Sequence, residues 1–184
     1  MNRLFVVLAA VAVAASLLGA QVKTVHFKKL QECFPSKPLA GFVQEKPTGS
    51  TQTSMGMSTS EARVEYHAIP KDTAAQEQTE PVLRIELKIS DMVMMPYALM
   101  QFSMQQDYEN ETEDSYEKSL KVLGKYPGRE EIRKGDSKSC RLMFAVANRF
   151  LVEAQADGTD DMQVLDNALR GMDLAKLESC ATPQ

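Results

Sequence analysis

Histidine, cysteine and the short catalytic signatures are scarce in this chain, and each shortage excludes a class of chemistry. Two histidines, His26 and His67, are the only imidazole bases in 184 residues. Neither stands in a nucleophile motif, so a serine or cysteine has no evident base to activate it. There is no His-Glu-x-x-His, Cys-x-x-Cys or Gly-x-Ser-x-Gly and no phosphate-binding glycine loop. The common metallohydrolase, redox, esterase and nucleotide sites are therefore missing as motifs. Basic residues are outnumbered 21 to 25 by acidic ones and form no cluster, so the chain lacks the electrostatic footprint of a nucleic-acid or anionic-membrane binder. No nucleic-acid partner and no cofactor are expected.

The N-terminus reads as an address. Asn2 and Arg3 precede an uncharged, mostly apolar run over residues 4–18, followed by Gly19, Ala20 and the polar Gln21. That is the layout of a cleavable signal peptide, with small Ala20 suited to the position before the cut. The fifteen residues of the run fall short of the roughly 20 that a membrane-spanning helix needs. Residues 1–20 are thus expected to be removed, leaving one exported domain over residues 21–184, periplasmic or extracellular, with no stable membrane span after cleavage. Arg3 is the only charge lost, which takes the formal net charge from −4 to −5.

Three cysteines allow at most one internal disulfide in an oxidising compartment. Cys140 shares strand parity with Leu142, Phe144 and Val146, which sends it to the core if they go there. Cys33 and Cys180, near the two ends of the exported chain, are then the natural pair, because domain termini often lie close together. Three unpaired thiols remain the alternative.

Residues 82–89 alternate Leu83, Ile85, Leu87 and Ile89 with Arg84, Glu86 and Lys88, the pattern of a strand with one packed and one wet face. Residues 62–68 alternate likewise, and the polar stretch 70–81 would join the two as a long hairpin loop. Residues 116–122 and 130–134 flank Tyr126-Pro127-Gly128, where Pro followed by Gly predicts a type II turn. Residues 141–147 and 149–156 form a further hairpin around Asn148, its first arm apolar on both faces and so inside the sheet. A short helix is predicted within residues 23–34. A better one follows Asp160, which caps it with Gln163 three residues on and which buries Met162, Leu165, Leu169 and Met172; Gly171 ends it and Asp173 caps a last turn. Residues 47–60 carry no charge, and alternating Thr51, Thr53, Met55 and Met57 favour an edge strand there. The expected fold class is α+β, a mostly antiparallel sheet with N- and C-terminal helices packed on one face.

Methionine is the least ordinary feature. Met92, Met94, Met95, Met100 and Met104 fall within residues 91–105, with Met55 and Met57 upstream. Val93, Tyr97, Ala98, Leu99 and Phe102 make this segment apolar nearly all round, so it is either buried or offers one face to a partner. Met94, Met100 and Phe102 are the candidate binding surface, for a protein or an apolar ligand. Thioethers are also soft ligands for copper(I), which makes the five methionines of the segment a candidate metal set. Carboxylate pairs such as Glu130 with Glu131 and Asp160 with Asp161 could support a hydrolase, although adjacent acids usually serve as solvated surface. No catalytic residue is assigned. Asp107, Glu109, Glu111, Glu113 and Asp114 alternate as calcium ligands can, without the glycine of an EF-hand bend. Asn110-Glu111-Thr112 matches a glycosylation acceptor.

From Tyr116 onward the order of features resembles the Mog1/PsbP-like group of small α+β domains. The likeness rests on the strand before YPG at 126–128, the hairpin LMFAVANRFLV at 142–152, and the closing helix ending MDLAKL at 172–177. The same tail is similar to secreted bacterial proteins whose function is unknown. The resemblance implies an antiparallel sheet flanked by helices and a non-catalytic binding or accessory role; fold likeness by itself assigns no function.

Overall fold

The computed structural model describes residues 23–69, 83–104 and 107–182. The leader over residues 1–20 and the connection over 70–81 lie outside the described residues. In chain order the elements are α1 (Phe27–Gln31), β1 (Phe42–Gln44), β2 (Thr48–Ser54), β3 (Met57–Ala68), β4 (Arg84–Asp91), α2 (Tyr97–Met104), β5 (Glu109–Glu111), β6 (Ser115–Val122), β7 (Tyr126–Arg133), β8 (Ser139–Val146), β9 (Phe150–Asp157), α3 (Gln163–Arg170) and α4 (Leu174–Ser179).

Among the described residues nine strands form one sheet in the order β1-β3-β4-β9-β8-β7-β6-β5, with β2 also on β3, and every pairing is antiparallel. The alternation that marks β4 works as expected: Ile85, Leu87 and Ile89 are fully buried. They join Val64 and Tyr66 of β3, Val152 and Ala154 of β9, and Leu142 and Phe144 of β8 in the main core. Each such side chain contributes about 1.5–3 kcal/mol on leaving water. Leu30 of α1, Leu165 and Leu169 of α3 and Leu177 of α4 close that face. The next residue along each strand points to the opposite face. There Met143, Ala145 and Leu151, with Met92, receive Leu99 and Phe102 of α2 in a smaller cluster.

The α+β expectation is therefore corrected. A strand forms where a turn was expected, at Pro127-Gly128, and a further short strand forms at Glu109–Glu111. The helices have only five to eight residues, too few to build a layer of their own. The fold is sheet-dominated, with short helices as local covers, and α2 lies on the face opposite the others.

The predicted type II turn is also corrected. The chain reverses at Leu123-Gly124, both at positive φ, with Lys125 N–H donating to the Val122 carbonyl at 3.1 Å. Positive φ at both central residues belongs to the turn that matches strand twist in a hairpin. Gly128 is inside β7 for a different reason: a Cβ there would lie 2.5 Å from the Met143 carbonyl oxygen and 2.8 Å from Phe144 Cβ. Its missing side chain lets β7 and β8 cross closely. Asp160 does not cap α3; it pairs with Lys138 at 3.5 Å, and Asp161 Oδ1 accepts from Gln163 N–H at 3.0 Å instead. Asp173 caps α4 as expected, accepting from Lys176 N–H.

At the Asp91 end of the sheet a buried ion pair pins several strands of chain together. Arg149 donates to Asp91 through Nε at 3.1 Å and Nη2 at 2.8 Å, and through Nη2 to the Lys23 carbonyl at 2.8 Å. Asp91 also accepts from the backbone N–H of Val25 at 2.7 Å and of Val93 at 3.1 Å. One carboxylate thereby ties the start of the described chain, the β8–β9 turn and the head of the methionine segment.

Candidate functional site

Beyond the N-terminal apolar run, two stretches of the chain are long and free of charge, residues 47–60 and 92–106, and strand register brings them to the same end of the sheet. Ser60 of β3 pairs with Asp91 of β4, so residues 57–59 run past the end of β4. They stay paired only with β2, through Thr53–Ser58 and Ser54–Met57. The tip of this hairpin carries Met55, at positive φ in the turn and 97 % exposed, and Met57, also exposed. Met92 follows Asp91 directly, and its N–H donates to the Arg149 carbonyl at 2.8 Å. The β8–β9 and β6–β7 turns lie at this end too, because Asp91 pairs with Phe150 and Gly128 with Phe144.

Within the second stretch, helical spacing sorts the side chains. Leu99 and Phe102, three apart, are buried against Ala145. Tyr97, Met100 and Met104 lie on the other stripe and are exposed, Tyr97 by 81 % and Met104 by 75 %; Met94 and Met95 just before the helix are exposed as well. Of the surface candidates, Met94 and Met100 face outward, whereas Phe102 is buried and anchors α2. Of the copper candidates, Met92 packs on the small cluster and the other four are exposed. Met100 and Met104, four residues apart, share a helix face. The helix carries no acidic residue in its first turn and no basic one in its last, so its outer face is uncharged and thioether-rich, with Gln101 and Ser103 exposed beside the methionines.

The remaining candidates are engaged in structure. His26 caps α1, its Nδ1 accepting from Lys28 N–H at 3.3 Å. Glu130 is buried and paired with Lys118 at 3.0 Å, and its neighbour Glu131 points to the other face by strand alternation. Glu109 accepts from the Tyr116 hydroxyl at 2.9 Å and Glu111 from Lys134 at 3.2 Å, so these acids of the alternating run serve cross-strand contacts. All three cysteines are free thiols, Cys33 and Cys140 buried and Cys180 partly exposed. Burial, reinforced by nearby Cys180, pushes the Cys33 thiol up to about 12, and burial with Asp161 raises Cys140 to about 11.

One cluster was not singled out in the sequence. Glu45, Glu65 and His67 bring ligand atoms within 4.8 Å of one another. His67 Nε2 lies 3.0 Å from Glu45, and Arg84 already holds Glu65 at 2.9 Å, so one of the three groups is engaged by a protein cation. Glu65-x-His67 on one strand face was a readable signal, but Glu45 arrives from beside β1 and only the register supplies it.

Among the described residues no helix is long and apolar enough to cross a membrane. Compared with known proteins, the chain matches no family model, no curated protein and no solved structure.

Proposed function

We propose that this chain is an exported, non-enzymatic accessory module that docks a partner protein on the methionine-bearing end of its sheet. One observation carries the reading: Met55, Met57, Met94, Met95, Tyr97, Met100 and Met104, drawn from two uncharged stretches far apart in sequence, are all exposed at or over one end. Large apolar side chains normally leave the surface of a domain, and a contiguous group of them marks an interaction site. Methionine suits such a surface because its flexible, polarisable thioether adapts to the shape it meets. The group is open rather than enclosed, which favours a protein surface over a small apolar ligand. The likeness of the segment from Tyr116 onward to Mog1/PsbP-like domains points the same way, toward an accessory role. A second reading, copper(I) binding, draws on Met100 and Met104 one helical turn apart, with Met94 and Met95 just ahead of the helix.

One experiment tests both. Met94 and Met100 are replaced together, once by Ser and once by Leu, with Phe102 left in place to hold the helix. Capture is then compared in the secreted fraction of the native cell, alongside copper(I) titration. Docking through apolar area predicts a partner retained by the Leu form and lost by the Ser form at unchanged Tm. Capture by the Ser form equal to wild type overturns it. Copper(I) uptake by wild type that both forms lose supports the second reading, and no uptake at micromolar metal ends it.

A further inference from the structure

At the opposite end of the sheet the core face opens into a groove of about 450 Å³, within the ~300–1,000 Å³ range of small-molecule sites. Its apolar lining comes from Pro35, Pro38, Leu39 and Phe42 on one side, Ile85 of β4, and Val164 of α3. Ile85 lies six residues before Asp91 on β4, about 20 Å along a strand, so the groove and the methionine end are separate places. The wall over residues 35–42 is preformed. Two prolines restrict it, and Gly171 lets it seat against the end of α3, since a Cβ there would come within 3.0 Å of Pro35 Cβ.

The polar groups at this groove are few and unengaged. Lys37 is exposed and is the only charged residue among the described residues of the lining. Among the described residues it makes no ion pair or hydrogen bond, and neither does the Asn167 amide, also in the lining. Six other described lysines face a carboxylate; Lys37 shares its lack of an ion pair with Lys23, Lys28, Lys29, Lys46 and Lys121, and differs from them in lining an apolar groove. An apolar trough with one unpaired cation and one free amide complements a molecule with an apolar body and one anionic oxygen head.

We infer that this groove binds a small amphiphilic carboxylate, its hydrocarbon part between the 35–42 wall and Val164 and its carboxylate on Lys37. A pure hydrocarbon would leave Lys37 and Asn167 unused, and an amphiphilic cation would meet Lys37 as a like charge. The inference stands independently of the partner-docking reading, because it uses none of the methionines.

The test compares three probes with one tail, decanoate, decanol and decylammonium, each below its micellar concentration. Binding is followed by calorimetry and by amide chemical-shift mapping on the chain purified from the exported fraction. Decanoate is expected to bind tightest and to shift residues 35–42 and 164–171. Lys37→Glu should weaken decanoate by about tenfold, the upper scale of exchanging one exposed attraction for a repulsion, and leave decanol unchanged. Ala40→Trp, which fills the trough from an exposed position, should weaken decanoate and decanol together. Decanol or decylammonium binding as tightly as decanoate overturns the inference, as do indifference to Lys37→Glu, shifts confined to the methionine end, or no shifts at all.

Discussion

Replacing Arg149 by Met tests whether one buried ion pair organises the methionine end. Methionine keeps much of the length and apolar stem of arginine and removes the guanidinium. Asp91, fully buried beside an arginine side chain that is 10 % exposed, would keep its two backbone N–H donors, Val25 and Val93, but lose its only cation. The carbonyl of Lys23 would lose a donor as well. Breaking a buried pair from one side costs about 3–5 kcal/mol, because the remaining charge is stranded. For a domain of this size each kcal/mol lowers Tm by about 2–4 °C, so a fall of roughly 6–20 °C is expected. Urea denaturation of wild type, Arg149→Met, Asp91→Leu and the double variant separates stranding from lost packing. The double variant should cost less than the two singles summed, with a coupling of about 1–3 kcal/mol. In Asp91→Leu, which removes the acceptor, hydrogen exchange should report loss of protection at Val25 and Val93. A single Arg149→Met change that costs under about 1 kcal/mol, or costs that simply add in the double variant, would refute the pinning argument.

Gly128→Ala should cost about 1–3 kcal/mol in denaturant unfolding, the usual scale of overpacking, because its Cβ would meet the Met143 carbonyl at 2.5 Å; a neutral result would mean β7 and β8 can part without loss. A thiol reagent at pH 8 should label Cys180 first and reach Cys33 and Cys140 only on denaturation, since burial raises those two to about 12 and about 11 and the reactive thiolate fraction falls as the pKa rises. Equal labelling rates would refute that ordering.

What could be read from the sequence was whatever one strand or helix decides alone. The alternation of Ile85, Leu87 and Ile89 depends only on a period of two, and the stripe of Leu165 and Leu169 only on helical spacing; both are buried as expected. The fold class was misjudged where strands lack alternation. β5 is the all-polar Glu-Asn-Glu, and β7 carries Pro127 and Gly128 just after its first residue, where proline and glycine by themselves favour a turn. Partner strands override those preferences, and a partner is invisible in one dimension. Gly128 is the sharpest case, because its role is contact and not conformation. The site follows the same rule. Apolar methionines were evident at once, but that Met57 and Met92 lie at the same end of the sheet follows from the Ser60–Asp91 register, which no local pattern contains. Even within α2, exposed Met100 and buried Phe102 differ only in which stripe meets Ala145.

The charged face of the sheet bears on where recognition can occur. Glu65 holds Arg84 at 2.9 Å, Lys88 holds Glu153 at 3.2 Å and Arg129 holds Glu117 at 2.7 Å, each pair linking neighbouring strands. Exposed pairs of this kind add only about 0–1 kcal/mol apiece to stability. Their larger consequence is electrostatic: cations and anions that close on one another project little field beyond the surface, so this face has little with which to steer a charged partner. The ladder stops short of the sheet's Asp91 end, where residues 57–60 and 92–95 carry no charge and the Arg149–Asp91 pair is buried. A surface that carries no charge over residues 57–60 and 92–95 but leaves methionine and tyrosine in water has removal of apolar area from solvent as its main term for association. The rigid pin beneath it lowers the ordering cost that such an association must overcome.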